Sequence, residues 1–229
     1  MTRDRSVTHS DSACPRVRGG GAEGAFYGGP MRAVPRWALV SSGCAPLLLA
    51  GGWTVAAVLE GPTYDPATQT ISVLAAYGAA GFWVMTGALL GLGACHLLTA
   101  LGLRPAALAG RLALGGGGLA ALGVVLVPAP SSGGSLRHGS VAAVGFTLLA
   151  VWPVLAAVRG DAAPWALRPA PSLMATAAMA LGAGWFVWEM QGQGAPGVAE
   201  RLVTCMQSLW PFLVVASCLR HPGNGRSPA

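Results

Sequence analysis

Six apolar runs of about 20 residues dominate this chain and leave it few ways to fold. They cover about 37–59, 80–103, 110–128, 139–158, 172–190 and 201–219. A helix needs about 20 apolar residues to cross the ~30 Å hydrocarbon layer of a bilayer. Inside that layer no water satisfies the backbone, so each run has to close its own hydrogen bonds as a helix. The connections, about 60–79, 104–109, 129–138, 159–171 and 191–200, are too short for an independent soluble domain. The expected fold is all-α: a polytopic integral membrane bundle of six transmembrane helices.

Charge agrees with that expectation. Only 10% of the 229 residues are charged, against about 25% in soluble domains. All 14 basic residues are arginine, and the formal charge is +6. With so much Ala, Gly and Pro, this is the composition bias of a GC-rich, bacterial genome. The arginines stand singly between apolar runs. That pattern speaks against nucleic acid and for attraction to anionic membrane lipids.

The arginines also orient the bundle. Arg3, Arg5, Arg16, Arg18, Arg32 and Arg36 precede the first span. Arg104, Arg111, Arg159, Arg168, Arg220 and Arg226 fall at the same side, and only Arg137 and Arg201 at the other. Both termini are therefore expected to be cytoplasmic, in a bacterial inner membrane. Glu60, Asp65, Glu189 and Glu200 gather at the outer boundary, where any chemistry should be sought.

Three regions are expected. Residues 1–30 are polar, Gly-rich and aperiodic, and read as a disordered cytoplasmic tail. Met31, followed by Arg32 and Arg36, would also make a natural start, so that tail is a candidate gene-start artefact. Residues 31–220 form the single membrane domain, and 221–229 a short cytoplasmic tail.

Packing signals lie within the spans. Gly87 and Gly91 form a GxxxG, and Gly115, Gly116, Gly117 and Gly118 follow one another in the third span. Small residues let membrane helices approach closely, and four glycines in a row suggest a bend. Most tryptophans fall near span ends, as in an interfacial belt. The five cysteines show no paired spacing, and they read as small packing residues rather than a disulfide or zinc framework.

The first outer connection is the one polar stretch with internal patterning. Asp65 is a natural N-cap and Pro66 a natural first helical residue. Asp65, Thr68, Gln69 and Ser72 then share one helical face, while Ala67, Ile71, Leu74 and Ala75 share another. The spacing predicts a short outer amphipathic helix at about 66–77, ended by Gly78. Its polar stripe either faces water or forms the wall of an outer pocket with Glu60, His138 or Glu200.

The candidate outer-pocket residues are Asp65, Gln69, Ser72, His138, Glu200 and Arg201. Glu189, at a helix C-terminus, calls for a cation such as Arg201. His96 reads as a satisfied core histidine, with a proton relay as the alternative. His96 and His138 lie at depths too different to share a haem iron. No set of about three converging ligands suggests a metal, so neither cofactor nor metal is expected. GxSxG, HExxH and Gly-rich phosphate loops are absent.

Three functions follow. The favoured one is a small solute- or lipid-binding, transport-type protein with an outer-face pocket. A membrane-embedded hydrolase would use Asp65, His138 and Glu200 on a lipid-like substrate, but outer histidines are too few. A structural or accessory subunit would have no catalytic site. Expected partners are membrane lipids and a small-molecule or lipid ligand; oligomeric state is not encoded legibly.

Several pieces resemble a known family. Tyr64-Asp65-Pro66, Gln69-Thr70-Ile71-Ser72 and Leu74-Ala75 lie between the first two spans. Trp83-Val84-Met85-Thr86, His138-Gly139 and Glu200-Arg201-Leu202 follow in order. Over about 36–220 the chain resembles the bacterial six-span family called domain of unknown function 998. That resemblance implies the same six-span architecture and supplies no reaction. Family members often carry an Asp after a Pro in the third connection, whereas Pro128-Ala129-Pro130 here has none. An activity that used that Asp would be missing from this chain.

Overall fold

A computed structural model describes residues 33–130, 133–160, 162–192 and 194–221. The tail reading of 1–30 lies outside the described residues. So do Arg3, Arg5, Arg16, Arg18, Arg32 and Arg226 of the charge argument.

The long helices are α1 (Arg36–Glu60), α3 (Phe82–Gly102), α4 (Leu108–Leu126), α5 (Leu136–Ala156), α6 (Pro169–Gln191) and α7 (Pro196–Arg220). A four-residue helix, α2 (Ile71–Leu74), lies between α1 and α3. Single 3-10 turns occur at Gly61–Thr63 and Trp165–Leu167. Among the described residues, six helices are long and apolar enough to cross a membrane. The expected all-α six-span bundle is the fold. The last span begins earlier than its hydropathy suggests, which puts Glu200 inside α7 as well as Arg201.

The six long helices form a closed ring. Each packs against its neighbours in sequence, and α7 returns to α1. Large apolar side chains point away from the ring, with Leu47 73%, Val58 75% and Leu181 76% exposed. Lipid covers such faces, while small residues bring the helices together. A Cβ on Gly110 would lie 2.3 Å from the Ala156 backbone. Gly93 and Gly118 press together the same way, each Cβ position being 2.8 Å from the other's carbonyl oxygen. Arg111 of α4 reaches back to α3, donating from Nε to the Ala100 carbonyl at 2.8 Å and from a terminal nitrogen to Leu101 at 3.2 Å. Those carbonyls belong to the last turn of a helix, which has no backbone donors of its own.

Several expectations are corrected here. Gly87 of the GxxxG faces open space, and the Cβ position of Gly91 meets the Leu48 side chain, so the close approaches of α3 run through Gly93, against Gly118, and Gly102, against Ala38. The helix α4 is continuous through Gly115–Gly118, where Gly117 lets α5 approach and Gly118 lets α3 approach. Trp152 is fully buried in the core, while Trp37, Trp83, Trp165, Trp185 and Trp188 are exposed as a belt requires.

The amphipathic helix at about 66–77 is realised only in part. Its first turn closes as Asp65 O accepting from Gln69 N at 2.8 Å, and regular helix resumes only at Ile71. The carbonyls that would carry the helix onward are taken by other partners. Arg201 Nη1 donates to Pro66 O at 2.8 Å and to Gln69 O at 3.2 Å, and Val198 N donates to Ala67 O at 3.2 Å. Tertiary donors from α7 thus outcompete local helix propagation. Gly78, at φ 87°, turns the chain toward α3 as its position suggests.

Candidate functional site

Ser135 sets one wall of the site. It is the N-cap of α5, its Oγ accepting from His138 N at 3.3 Å. This places the His138 ring against the end of α4, where Nδ1 faces Val127 O at 2.9 Å. A carbonyl can only accept, so Nδ1 carries a proton. In the neutral ring Nε2 is then an acceptor. It lies 3.2 Å from Ser72 Oγ, which donates to it.

Glu200 supplies the opposite wall from α7. It is 4% exposed. One carboxylate oxygen accepts the backbone N–H of Ile71, and the other lies 3.4 Å from Ser72 Oγ. Ser72 has a single proton and two acceptors within reach.

These three residues stand at the mouth of a cavity inside the ring. It leaves about 100 Å³ for the centres of water-sized molecules. Its walls are mostly apolar and come from every long helix except α6; Leu49, Leu92, Val124, Val141 and Phe146 are representative. This is how small-molecule sites are generally built: apolar walls with a few placed polar groups.

The remaining sequence candidates do not join the trio. Asp65 is exposed and caps its own turn, its carboxylate accepting from Ala67 N at 2.9 Å and Thr68 Oγ1 at 2.8 Å. Those two donors hold its pKa below the usual carboxylate value. Gln69 closes the same turn, Oε1 accepting from Asp65 N at 2.8 Å. Arg201 faces outward from the cavity and clamps the loop. Besides Pro66 and Gln69 it binds its own helix at Gly197 O (2.9 Å) and the Tyr64 hydroxyl, and it lies 5.8 Å from the ring centroids of Trp53 and Tyr64. The polar stripe is thus divided: Asp65, Thr68 and Gln69 close on themselves, and Ser72 alone turns inward.

Two carboxylates resolve differently from expectation. Glu189 binds Trp185 Nε1 at 2.9 Å and Ala195 N at 2.7 Å, rather than Arg201. Glu60 accepts from Gly81 N at 3.1 Å and serves the entry to α3. Among the described residues no group of three or more His, Cys, Asp or Glu side chains converges as metal ligands would.

A family model matches residues 27–217, and it is described as a protein of unknown function, DUF998. The chain belongs to the DUF998 family. No curated protein and no solved structure matches it. The match takes in five of the long helices whole, α7 as far as residue 217, the loop and both walls of the mouth, so the DUF998 region contains the whole candidate site.

Sequence reasoning missed part of that DUF998 site. Tyr64 is buried beneath the loop and its hydroxyl faces Gln69 O (3.2 Å) and Thr70 O (3.1 Å). Burial raises its pKa above the usual phenol value, chiefly by desolvation. Thr204, Gln207 and Ser208 line the cavity below Glu200. A signal for them existed: with Glu200 they recur at i, i+4, i+7 and i+8 in an otherwise apolar span, which is one helical face. His96 also lines the cavity, and its Nδ1 has no hydrogen-bond partner among the described residues. It is not the satisfied core histidine expected.

Proposed function

We propose that this protein holds a small amphiphilic molecule in the central cavity, as a binding or transport-type protein of a bacterial cytoplasmic membrane with both termini cytoplasmic. The observation that carries this reading is the cavity itself. Its walls are apolar, and its mouth presents a buried carboxylate and imidazole on a shared serine. A lone Glu200 would be costly to bury in this setting, and such groups mark ligand or ion paths in membrane proteins. Lone pairs left on Glu200 would receive a donor-bearing head group, a hydroxyl or an amine, while the chain lies against Leu92, Val124 and Val141.

Native mass spectrometry of the protein released from its own membranes tests this. The wild type should retain a small amphiphile, and Ala121→Phe, which fills the cavity wall, should not. A wild type that emerges empty sinks the reading.

A second reading rests on one distance, the 3.2 Å between Ser72 Oγ and His138 Nε2. A serine beside an imidazole oriented through its other nitrogen could attack an ester carbonyl. Ser72 would be the nucleophile in place of Asp65. Ester cleavage by the purified protein, lost in Ser72→Ala with abundance unchanged, would favour this reading; no cleavage across acyl chain lengths would end it.

A further inference from the structure

The mouth accounts for only part of the polar lining of the cavity. On α7, Thr204 Oγ1 donates to Glu200 O at 2.8 Å and Ser208 Oγ to Cys205 O at 3.2 Å, so both hydroxyl protons are used within the helix. Gln207 differs. Its Nε2 donates to Phe146 O at 3.0 Å, and because a carbonyl only accepts, this fixes which way the amide points. Its Oε1 and second N–H have no partner among the described residues. Gln207 is 2% exposed and lines the cavity.

His96 approaches the same cavity from α3. It is 1% exposed, and Nδ1 has no hydrogen-bond partner among the described residues. Buried polar atoms are nearly always paired, so an unpaired one asks for a partner not yet counted. A Cβ on Gly118 of α4 would lie 3.1 Å from that of His96. Val127, which faces His138 at the mouth, is roughly 13 Å further along the chain at about 1.5 Å per residue. By the same rise, Gln207 lies about 10 Å below Glu200. Two helices therefore bring unpaired polar groups to a similar depth, well below the trio.

We propose that the deep end of the cavity is a second polar subsite, where His96 and Gln207 bind a hydroxyl-type group carried by the ligand about 10–13 Å from its head. The ligand class is then a two-headed amphiphile, with hydrogen-bonding groups at both ends of a short apolar chain. This rests on the reading that the cavity binds an amphiphile, and it adds what that ligand has to carry. A hydroxyl suits the subsite because it donates and accepts at once. It can meet an imidazole nitrogen in either tautomer and either end of the amide.

The test compares 1-octanol with 1,8-octanediol, whose extended chain separates its oxygens by a similar distance. Binding to the full chain in nanodiscs is measured by titration calorimetry and corrected with empty nanodiscs. In the wild type the second hydroxyl should improve affinity about two- to tenfold, the range for one net hydrogen bond. His96→Leu and Gln207→Leu should each abolish the advantage of the diol over octanol. His96→Gln, which can still donate and accept, should retain part of it. No gain in the wild type would mean that the deep end holds water only, and would overturn the proposal. An equal gain in the wild type and both leucine variants would place the hydroxyl elsewhere and overturn it as well. If octanol itself fails to saturate in the wild type, the amphiphile reading falls first and this inference with it.

Discussion

The Glu200 carboxylate accepts the backbone N–H of Ile71 across 129 positions of sequence. That contact joins the last span to the first loop and fixes where α2 begins. It also points Ser72 at the cavity, because α2 turns its next side chain toward His138. One buried acid thus serves both the cap of the loop and the polar mouth.

Replacing Glu200 should separate those two roles. Glu200→Gln keeps an oxygen for Ile71 N–H, whereas Glu200→Ala leaves that donor buried and unpaired. The penalty for such a group is about 1–3 kcal/mol. Hydrogen exchange at the Ile71 amide should speed up strongly in the Ala variant and little in the Gln variant. Equal protection in all three proteins would show that the carboxylate does not hold α2.

Arg201 should be the main fastener of the loop. Its guanidinium reaches Pro66 O, Gln69 O and the Tyr64 hydroxyl at once, which a point charge cannot do. Arg201→Met keeps the apolar stem but leaves those acceptors without a charged donor, a loss of about 1.5–3 kcal/mol for such bonds. Arg201→Lys should fall between. Protease nicking between Tyr64 and Gly78 reads the effect, and nicking unchanged in both variants would refute the clamp.

The spans and the loop differ in how they can be read from sequence. Hydropathy reports the spans directly, because a bilayer demands long apolar helices whatever their partners. Asp65, Gln69 and Ser72 are legible as polar positions of one stripe, but not as a divided set. What divides them is Arg201 and Val198 taking loop carbonyls from far along the chain, and local periodicity carries no trace of that. Glu200 and His138 stand out as ionisable groups near span ends. The Thr204, Gln207 and Ser208 face is visible only as periodicity, and it is easily missed because none of the three ionises. Trp152 shows the reverse error: a tryptophan near a span end is equally suited to belt and core, and only packing decides.

Glycine substitutions should rank by what each new Cβ meets. Gly110→Ala drives a methyl to 2.3 Å from the Ala156 backbone, which cannot move aside as a side chain can. Overpacking of this kind costs about 1–3 kcal/mol or more. Gly87→Ala meets nothing within 4 Å and should gain about 0.5–1 kcal/mol from helix preference. Thermal unfolding in nanodiscs should therefore lower the midpoint of the first and hold or raise that of the second. The opposite order would mean that α4 and α5 are not packed this closely.

The arginine asymmetry predicts the side on which the mouth opens. In a background without native cysteines, Thr68→Cys should label from outside intact cells with an impermeant maleimide. Arg104→Cys should label only after permeabilisation. The reverse pattern would turn the bundle over and put the cavity mouth at the cytoplasm.

Asp65 gives the loop a pH dependence whose sign follows from its bonds. Its carboxylate is held below the usual value of 3.8 by the Ala67 N–H and the Thr68 hydroxyl. A depressed folded-state pKa means the contribution is present above the unfolded value and is lost as pH falls through the folded one. The turn at 65–69 should thus be indifferent to pH from neutrality down to about 4 and begin to loosen below it. Asp65→Asn keeps an acceptor oxygen without the titration, so its loop should stay closed over the same range. Asp65→Ala should be looser at every pH. Tyr64 keeps its phenol proton throughout, since burial raises its pKa, and adds no transition of its own at acid pH. Exchange rates of the Ala67 and Gln69 amides between pH 2.5 and 7 make the measurement, after correction for intrinsic exchange. Identical profiles for the wild type and Asp65→Asn would show that the carboxylate charge has no part in closing the turn.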